Sequence, residues 1–336
     1  LIYKPFNKEG GLMNTNVQKK RQKQTKQNKS CNQLQLSRRK LLTGGALGLG
    51  SLFLTNLVGT RKAAAASPTE STIDKIKRAG VFNLGARETT PPYGYLDKKN
   101  NYVGFSTEIA QKVHQRLEKE LGQKIKINYI AVTGRTRIPL LQNNTIDMEA
   151  GATVITKKRE AVVDFSAPFF LTATFILTSA DSNIKNAADL AGKRIGGHRG
   201  GLEEMLYTQK LVETGVLNKS PRFIGFENHT EGLTALQGGS IDAYTSDGPI
   251  LYGLQNSTPD PGKWRVFDPE VNAFAQAFPM RENSSSFANI INLSVVEAFE
   301  TGEWEALYQK YFVPVGLPKQ KPANLAFLER FNSWPD

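Results

Sequence analysis

The chain has 336 residues, 39% hydrophobic and 22% charged, and a formal net charge of +12. So basic a chain suggests nucleic acid or an anionic membrane as partner. The excess, however, is local: residues 1–66 hold 13 Lys/Arg and one Glu, while residues 67–336 hold 30 basic and 30 acidic residues, which excludes a nucleic-acid-binding body.

The first 66 residues read as an export leader. A long basic stretch ends in Ser37-Arg38-Arg39-Lys40-Leu41-Leu42. An apolar segment follows over 41–58, and small residues at 63–66 suit signal peptidase. Paired arginines ahead of a Gly-rich apolar core resemble a twin-arginine signal. The core approaches the ~20 apolar residues of a membrane span. Thr43, Gly44, Gly45, Gly48 and Gly50 dilute it, so cleavage is expected, with an uncleaved membrane tether as the alternative. Cys31, the single cysteine, lies in the leader without a lipobox before it, so residues 67–336 can form neither a disulfide nor a Cys-based metal site.

From residue 70 the pattern alternates helix and strand. Ser71 suits a helix cap before Ile73 and Ile76, and Gly80 stops that helix. Residues 81–86 read as a buried strand, and 98–101 as a turn between Tyr95 and Tyr102. Ser106 or Thr107 is expected to cap a helix bearing Ile109, Val113 and Leu117, ended by Gly122. Residues 126–132 form the next strand, and a short apolar helix begins at Arg137 with Ile138, Leu140 and Leu141. A second run starts near Ala187: a strand over 194–197, a loop over 198–201, and a helix with Leu202, Met205 and Leu206 on one side. A strand over 221–226, a helix after His229 and a strand over 241–245 follow. Residues 286–312 read as helix. Such alternation predicts α/β layers with mostly parallel sheets.

Residues 137–170 read RIPLLQNNTIDMEAGATVITKKREAVVDFSAPFF. A turn, a strand and a Gly-containing loop lead to a helix start at Thr156 with Arg159 in its first turn. Such a run delivers backbone N–H groups and a guanidinium to one small anion. These residues, in this order, resemble the bacterial extracellular solute-binding proteins of family 3, above all the glutamate/aspartate-binding members of ABC importers. The resemblance implies a two-lobed α/β fold, the type II periplasmic binding protein, whose chain crosses twice between lobes. The extended stretches 169–178 and 273–280 suit those crossings. Lobe 1 is therefore expected over 70–175 plus 276–336, and lobe 2 over 176–275.

The resemblance also assigns roles. Arg159 and the Val154 N–H would hold a ligand α-carboxylate; Asp247 and the Ala152 carbonyl would hold the α-ammonium. Arg87, Arg137 and His229 would surround the side-chain carboxylate of L-glutamate or L-aspartate, three positive groups that disfavour a cationic ligand. Taken alone, Arg159 also reads as a solvated neighbour of Lys157 and Lys158, and Asp247 as a helix N-cap before Gly248-Pro249, a job that an aspartate can combine with binding an ammonium. Tyr93 and Tyr95 suit either ligand packing or core. Gly134 stands where the family carries serine, and Gly200 and Gly201 where threonines are common. Glycine there leaves room and bare N–H groups, so a broader site admitting glutamine or asparagine is the alternative. An enzyme of the dehydratase type on the same fold would need a general acid or base, for which Glu88 and His229 are the nearby candidates. The implied partner is a membrane permease, the implied place the periplasm, and a monomer without cofactor is expected.

Overall fold

The computed structural model describes residues 70–332. The leader, with its paired arginines, apolar core and Cys31, lies outside the described residues. Among the described residues no helix is long and apolar enough to cross a membrane.

Two five-stranded sheets form the frame. The first runs Lys126–Ala131, Val81–Ala86, Met148–Ala150, Pro279–Met280, Asp164–Phe165. The second runs Arg222–Phe226, Arg194–His198, Ala243–Asp247, Thr174–Ser179, Trp264–Phe267. In each, the first three strands pair in parallel and the last two pair antiparallel. Parallel neighbours need crossover connections; the helix Phe105–Leu121 links two such neighbours, and His229–Gln237 links Arg222–Phe226 to Ala243–Asp247 across the strand between them. A two-stranded antiparallel ribbon, Phe170–Thr172 with Phe274–Gln276, carries the chain between the sheets in both directions.

Beneath the first sheet and the ribbon lies an aromatic core. Phe105, Phe169, Phe170, Trp304 and Phe312 are buried and meet at centroid distances of 4.6–6.3 Å. The Trp304 indole N–H donates to Phe169 O at 2.8 Å, so the one polar group of that side chain is satisfied. Each such ring contributes about 2 kcal/mol by burial, which anchors the ribbon's first strand to the C-terminal helices.

Several local expectations change. Ser106 and Thr107 lie inside the first turn of the Phe105–Leu121 helix, whose N-cap is Gly104. Ser106 Oγ instead donates to Gly151 O at 2.9 Å and ties down the loop of the 137–170 run. Met205 is exposed while Leu206, Tyr207 and Leu211 are buried. A π-helical turn at Leu206–Lys210 widens the helix there and shifts its apolar face. The expected helix over 286–312 is two helices, Ser285–Glu300 and Glu303–Tyr311, separated at Gly302, whose φ of +74° lies in the left-handed region. The helix Ala323–Phe331, which buries Leu325 and Leu328, was not anticipated.

Candidate functional site

Parallel strands end on one edge of each sheet, and ligands of open α/β sheets bind beyond those carboxyl ends. The expected charged residues obey this rule. Arg87 follows Val81–Ala86, Arg137 lies six residues past Lys126–Ala131, and Ala152 and Val154 follow Met148–Ala150. On the second sheet His198 ends Arg194–His198, His229 follows Arg222–Phe226, and Asp247 ends Ala243–Asp247. All of these line one cavity, together with Arg159, Thr90, Thr174, Gly201, Glu203, Ser246 and Phe274. The cavity encloses ≈ 500 Å³ of atom-free space, open solvent at its entrance included.

The guanidiniums come from the first-sheet side. Arg87 is buried and donates from Nε to Thr90 Oγ1 at 3.1 Å. Arg137, also buried, donates to Thr153 Oγ1 at 2.5 Å, and Thr153 donates to Glu149 Oε2 at 2.6 Å. Glu149 Oε1 lies 3.8 Å from Arg137 and has no hydrogen-bond partner among the described residues. Arg159 is held by its local sequence. Thr156 caps the single turn Lys157–Glu160 by accepting from the Arg159 N–H at 3.2 Å, so that N–H is not available to an anion. The Arg159 side chain donates to Val154 O at 2.7 Å and, across the cavity, to Gly200 O at 3.0 Å. Val154 opposes Gln276 in an isolated antiparallel bridge whose bonds are Ile155 N–H to Ala275 O and Ala277 N–H to Thr153 O. The Val154 N–H is therefore left out of that bridge, as the carboxylate role requires.

The second sheet supplies the other wall. Asp247 is the N-cap residue of the Gly248–Asn256 helix but makes no side-chain capping bond. Its Oδ2 accepts from Gln276 Nε2 at 2.8 Å instead, so the residue that also reads as a helix cap turns to the cavity. Burial, then the Glu203 charge, push its carboxyl up to about 8. Glu203 is buried, its Oε2 has no partner among the described residues, and desolvation raises it to about 7. His229 Nδ1 lies 3.0 Å from Tyr244 Oη. Burial, then Arg87 and Arg137, push its imidazole down to about 3, so it is neutral at pH 7. Counting His229 as a third cation is thus corrected: it offers a hydrogen bond, not a charge. Burial lowers the guanidiniums too, Arg87 to about 10 and Arg159 to about 9, but both stay cationic at pH 7.

Other expectations are corrected by geometry. Tyr93 does not line the cavity; it is fully buried, edge-on to Phe170 and Phe312. Tyr95 is half-buried in the small sheet of Thr89–Thr90, Gly94–Leu96 and Tyr102–Val103 and packs on the same core. Gly134 does not widen the pocket, because a Cβ there would fall 2.3 Å from His198 Cε1 and 2.5 Å from Arg199 O. Gly200 does not line the cavity; its carbonyl accepts from Arg159, and a Cβ on it would meet Gly134 O at 2.4 Å. Gly201 alone of the three glycines lines the cavity.

His198 and Glu203 were missed. A signal existed for each: His198 is one of only three histidines in the chain and closes a parallel strand, as Asp247 does. Glu203 stands two residues past the glycine pair, at the start of a helix. Across the cavity, Arg87 Nη2 lies 3.1 Å from His198 Nε2, and outside its lining Arg135 donates to Glu227 at 3.3 Å, which also accepts from Arg199 at 2.9 Å.

The arrangement can clamp a small zwitterion: guanidiniums and a spare N–H on one wall, a carboxylate on the other. Residues 82–314 match the family model of bacterial extracellular solute-binding proteins, family 3. An L-glutamate/L-aspartate-binding protein of Pseudomonas aeruginosa is 29% identical over 83% of this chain and 93% of its own. A glutamine-binding protein of Geobacillus stearothermophilus is 32% identical over 64% of this chain and 78% of its own. A solved structure, the solute receptor for L-cysteine of Neisseria gonorrhoeae, superposes with a TM-score of 0.66 at 23% identity, covering 75% of this chain and 98% of that one. The fold is that of the two-lobed type II periplasmic amino-acid-binding proteins, two α/β lobes joined by two crossings. The chain belongs to the bacterial extracellular solute-binding proteins, family 3, which serve amino-acid ABC importers.

Proposed function

We propose that this protein captures an acidic L-amino acid, glutamate or aspartate, between its lobes and presents it to the membrane permease of its importer. The observation that carries the reading is the convergence of Arg87, Arg137 and Arg159 in one buried cavity opposite Asp247. Arg159 and the Val154 N–H take the α-carboxylate, and Asp247 with the Ala152 carbonyl takes the ammonium. Arg87 and Arg137 take the side-chain carboxylate, with His229 as a neutral hydrogen-bonding neighbour. Residues 70–175 plus 276–336 act as one lobe and 176–275 as the other. Ligand contacts to both favour the closed form, because only that form offers both walls at once. The protein acts as a monomer in the periplasm, exported by its twin-arginine-like leader, and binds without turnover. Glu88, one candidate acid, does not line the cavity and accepts from Tyr102 Oη at 2.8 Å instead. Titration calorimetry of the protein with glutamate, aspartate, glutamine and arginine tests this; absence of heat with every amino acid would sink it.

A second reading, a binder of neutral polar amino acids such as glutamine, has one observation in its favour. Glu203 Oε2 is buried at the cavity without a partner among the described residues, and a side-chain amide N–H would satisfy it where a carboxylate would be repelled. Glutamine displacing glutamate in competition calorimetry selects this reading.

A further inference from the structure

His198 sits at the meeting point of the two walls, and none of the roles above involves it. It ends the second strand of its sheet, is buried, and lies edge-on against Gly134 on the opposite side of the cleft. A Cβ on Gly134 would fall 2.3 Å from His198 Cε1 and 2.6 Å from its Nδ1, well inside any contact distance real Cβ atoms tolerate. The ring therefore occupies the volume that a serine at 134 would need. One face of the ring stacks on His229, with centroids 4.9 Å apart and planes 25° apart.

The other end of the ring is chemically defined. His198 Nε2 is 3.1 Å from Arg87 Nη2. A guanidinium has donors only, so Nε2 is the acceptor and the ring proton lies on Nδ1. Arg87 is thus gripped from both sides: Thr90 Oγ1 takes its Nε from its own lobe, and His198 takes one terminal nitrogen from across the cleft. Three further N–H groups of the fork remain for a ligand. A neutral acceptor orients the guanidinium without cancelling its charge, which a carboxylate in the same place would do.

We propose that His198 is a positioning residue that determines specificity: it fills the space left by Gly134 and orients Arg87 from the second lobe, so that an Arg87–His198 pair reads a ligand's side-chain carboxylate. This deepens, and rests on, the reading of the cavity as an acidic-amino-acid site.

Two variants separate orientation from mere filling. His198→Leu keeps the bulk and removes the acceptor; His198→Gln keeps an oxygen acceptor able to reach Arg87. Calorimetry with L-glutamate and L-glutamine gives the glutamate-to-glutamine affinity ratio, a quantity that a merely structural role would leave unchanged. Loss of one charge-assisted hydrogen bond predicts that H198L weakens glutamate about tenfold or more and glutamine less than about threefold. H198Q should restore the ratio to within about threefold of the unaltered protein. Equal loss for both ligands in H198L, or H198Q no better than H198L, overturns the proposal while amino-acid binding stands. An unaltered protein that prefers a cationic amino acid, or binds none, overturns it together with the acidic-ligand reading; Arg159→Ala, losing every ligand, identifies the site in the first of these cases.

Discussion

The two walls of the cavity share one desolvated space yet respond to it in opposite ways. The first-sheet wall carries Arg87, Arg137 and Arg159; the second-sheet wall carries His198, Glu203, His229 and Asp247. Burial lowers Arg87 and Arg159 only to about 10 and about 9, so they remain cations at neutral pH. The same burial takes His198 to about 2 and His229 to about 3, which leaves both rings neutral. It lifts Glu203 to about 7 and Asp247 to about 8, into the range where they gain or lose a proton easily. What differs is the starting point: an arginine begins so far from neutrality that it can lose several units and keep its charge. One wall is therefore permanently charged, and the other adjusts its charge to what is bound.

That contrast can be broken at each wall. Arg159→Ala should lower the affinity for every amino acid about 100-fold or more, because it leaves a buried carboxylate without its partner. Calorimetry that finds glutamate binding unchanged would remove Arg159 from the α-carboxylate role. Next in size, Arg137→Ala should cost glutamate and aspartate about tenfold or more and glutamine much less; equal losses in a competition panel would contradict its assignment to the side chain.

The adjustable wall makes a pH prediction. Asp247 and Glu203 have folded pKa values raised above their unfolded values near 3.8 and 4.5. These two groups contribute stability that is present below about pH 4 and lost as pH rises toward about 8, while His198 and His229, lowered from 6.5 to about 2 and about 3, contribute the opposite slope below pH 6.5, so the net decline is expected between about pH 6.5 and 8. Thermal melts of the ligand-free protein should show this decline. Glu203→Gln should raise the melting temperature at pH 8 by about 3 °C and flatten the curve; a steeper curve in that variant would mean that Glu203 is paired in solution. The smallest effect is expected outside the cavity lining. Arg135 and Glu227 are exposed, and water screens their pairing. Arg135→Ala should change ligand affinity less than about threefold, and a larger change would make that contact a true latch on closure.

Much of this protein was legible in its residues. The alternation of strand and helix after residue 70 set the α/β class, because each period is a local matter of which face an element buries. The 137–170 run pointed to an anion site through Thr156 and Arg159, and the local geometry follows: Thr156 caps the turn that bears Arg159. The leader's charge could be set aside because it is confined to residues 1–66. Where the reading went astray, the missing information was long-range. Gly302 breaks a helix whose apolar pattern runs on unbroken, because a left-handed φ leaves no mark in hydrophobic periodicity. Tyr93, only six residues past Arg87 in sequence, turns into the aromatic core rather than the cavity.

The sequence by itself determined the class of fold, the charged residues available to a ligand and the strand ends that carry them. Only the tertiary structure decided which of those charges survive and what fills the gaps between the lobes. Whether a histidine is a cation depends on desolvation and on guanidiniums from another part of the chain. Whether Gly134 is an empty place depends on His198, 64 positions away in the sequence and arriving from the opposite sheet. Both are questions of what a side chain meets in space, and contacts between distant segments exist only once the two lobes face each other.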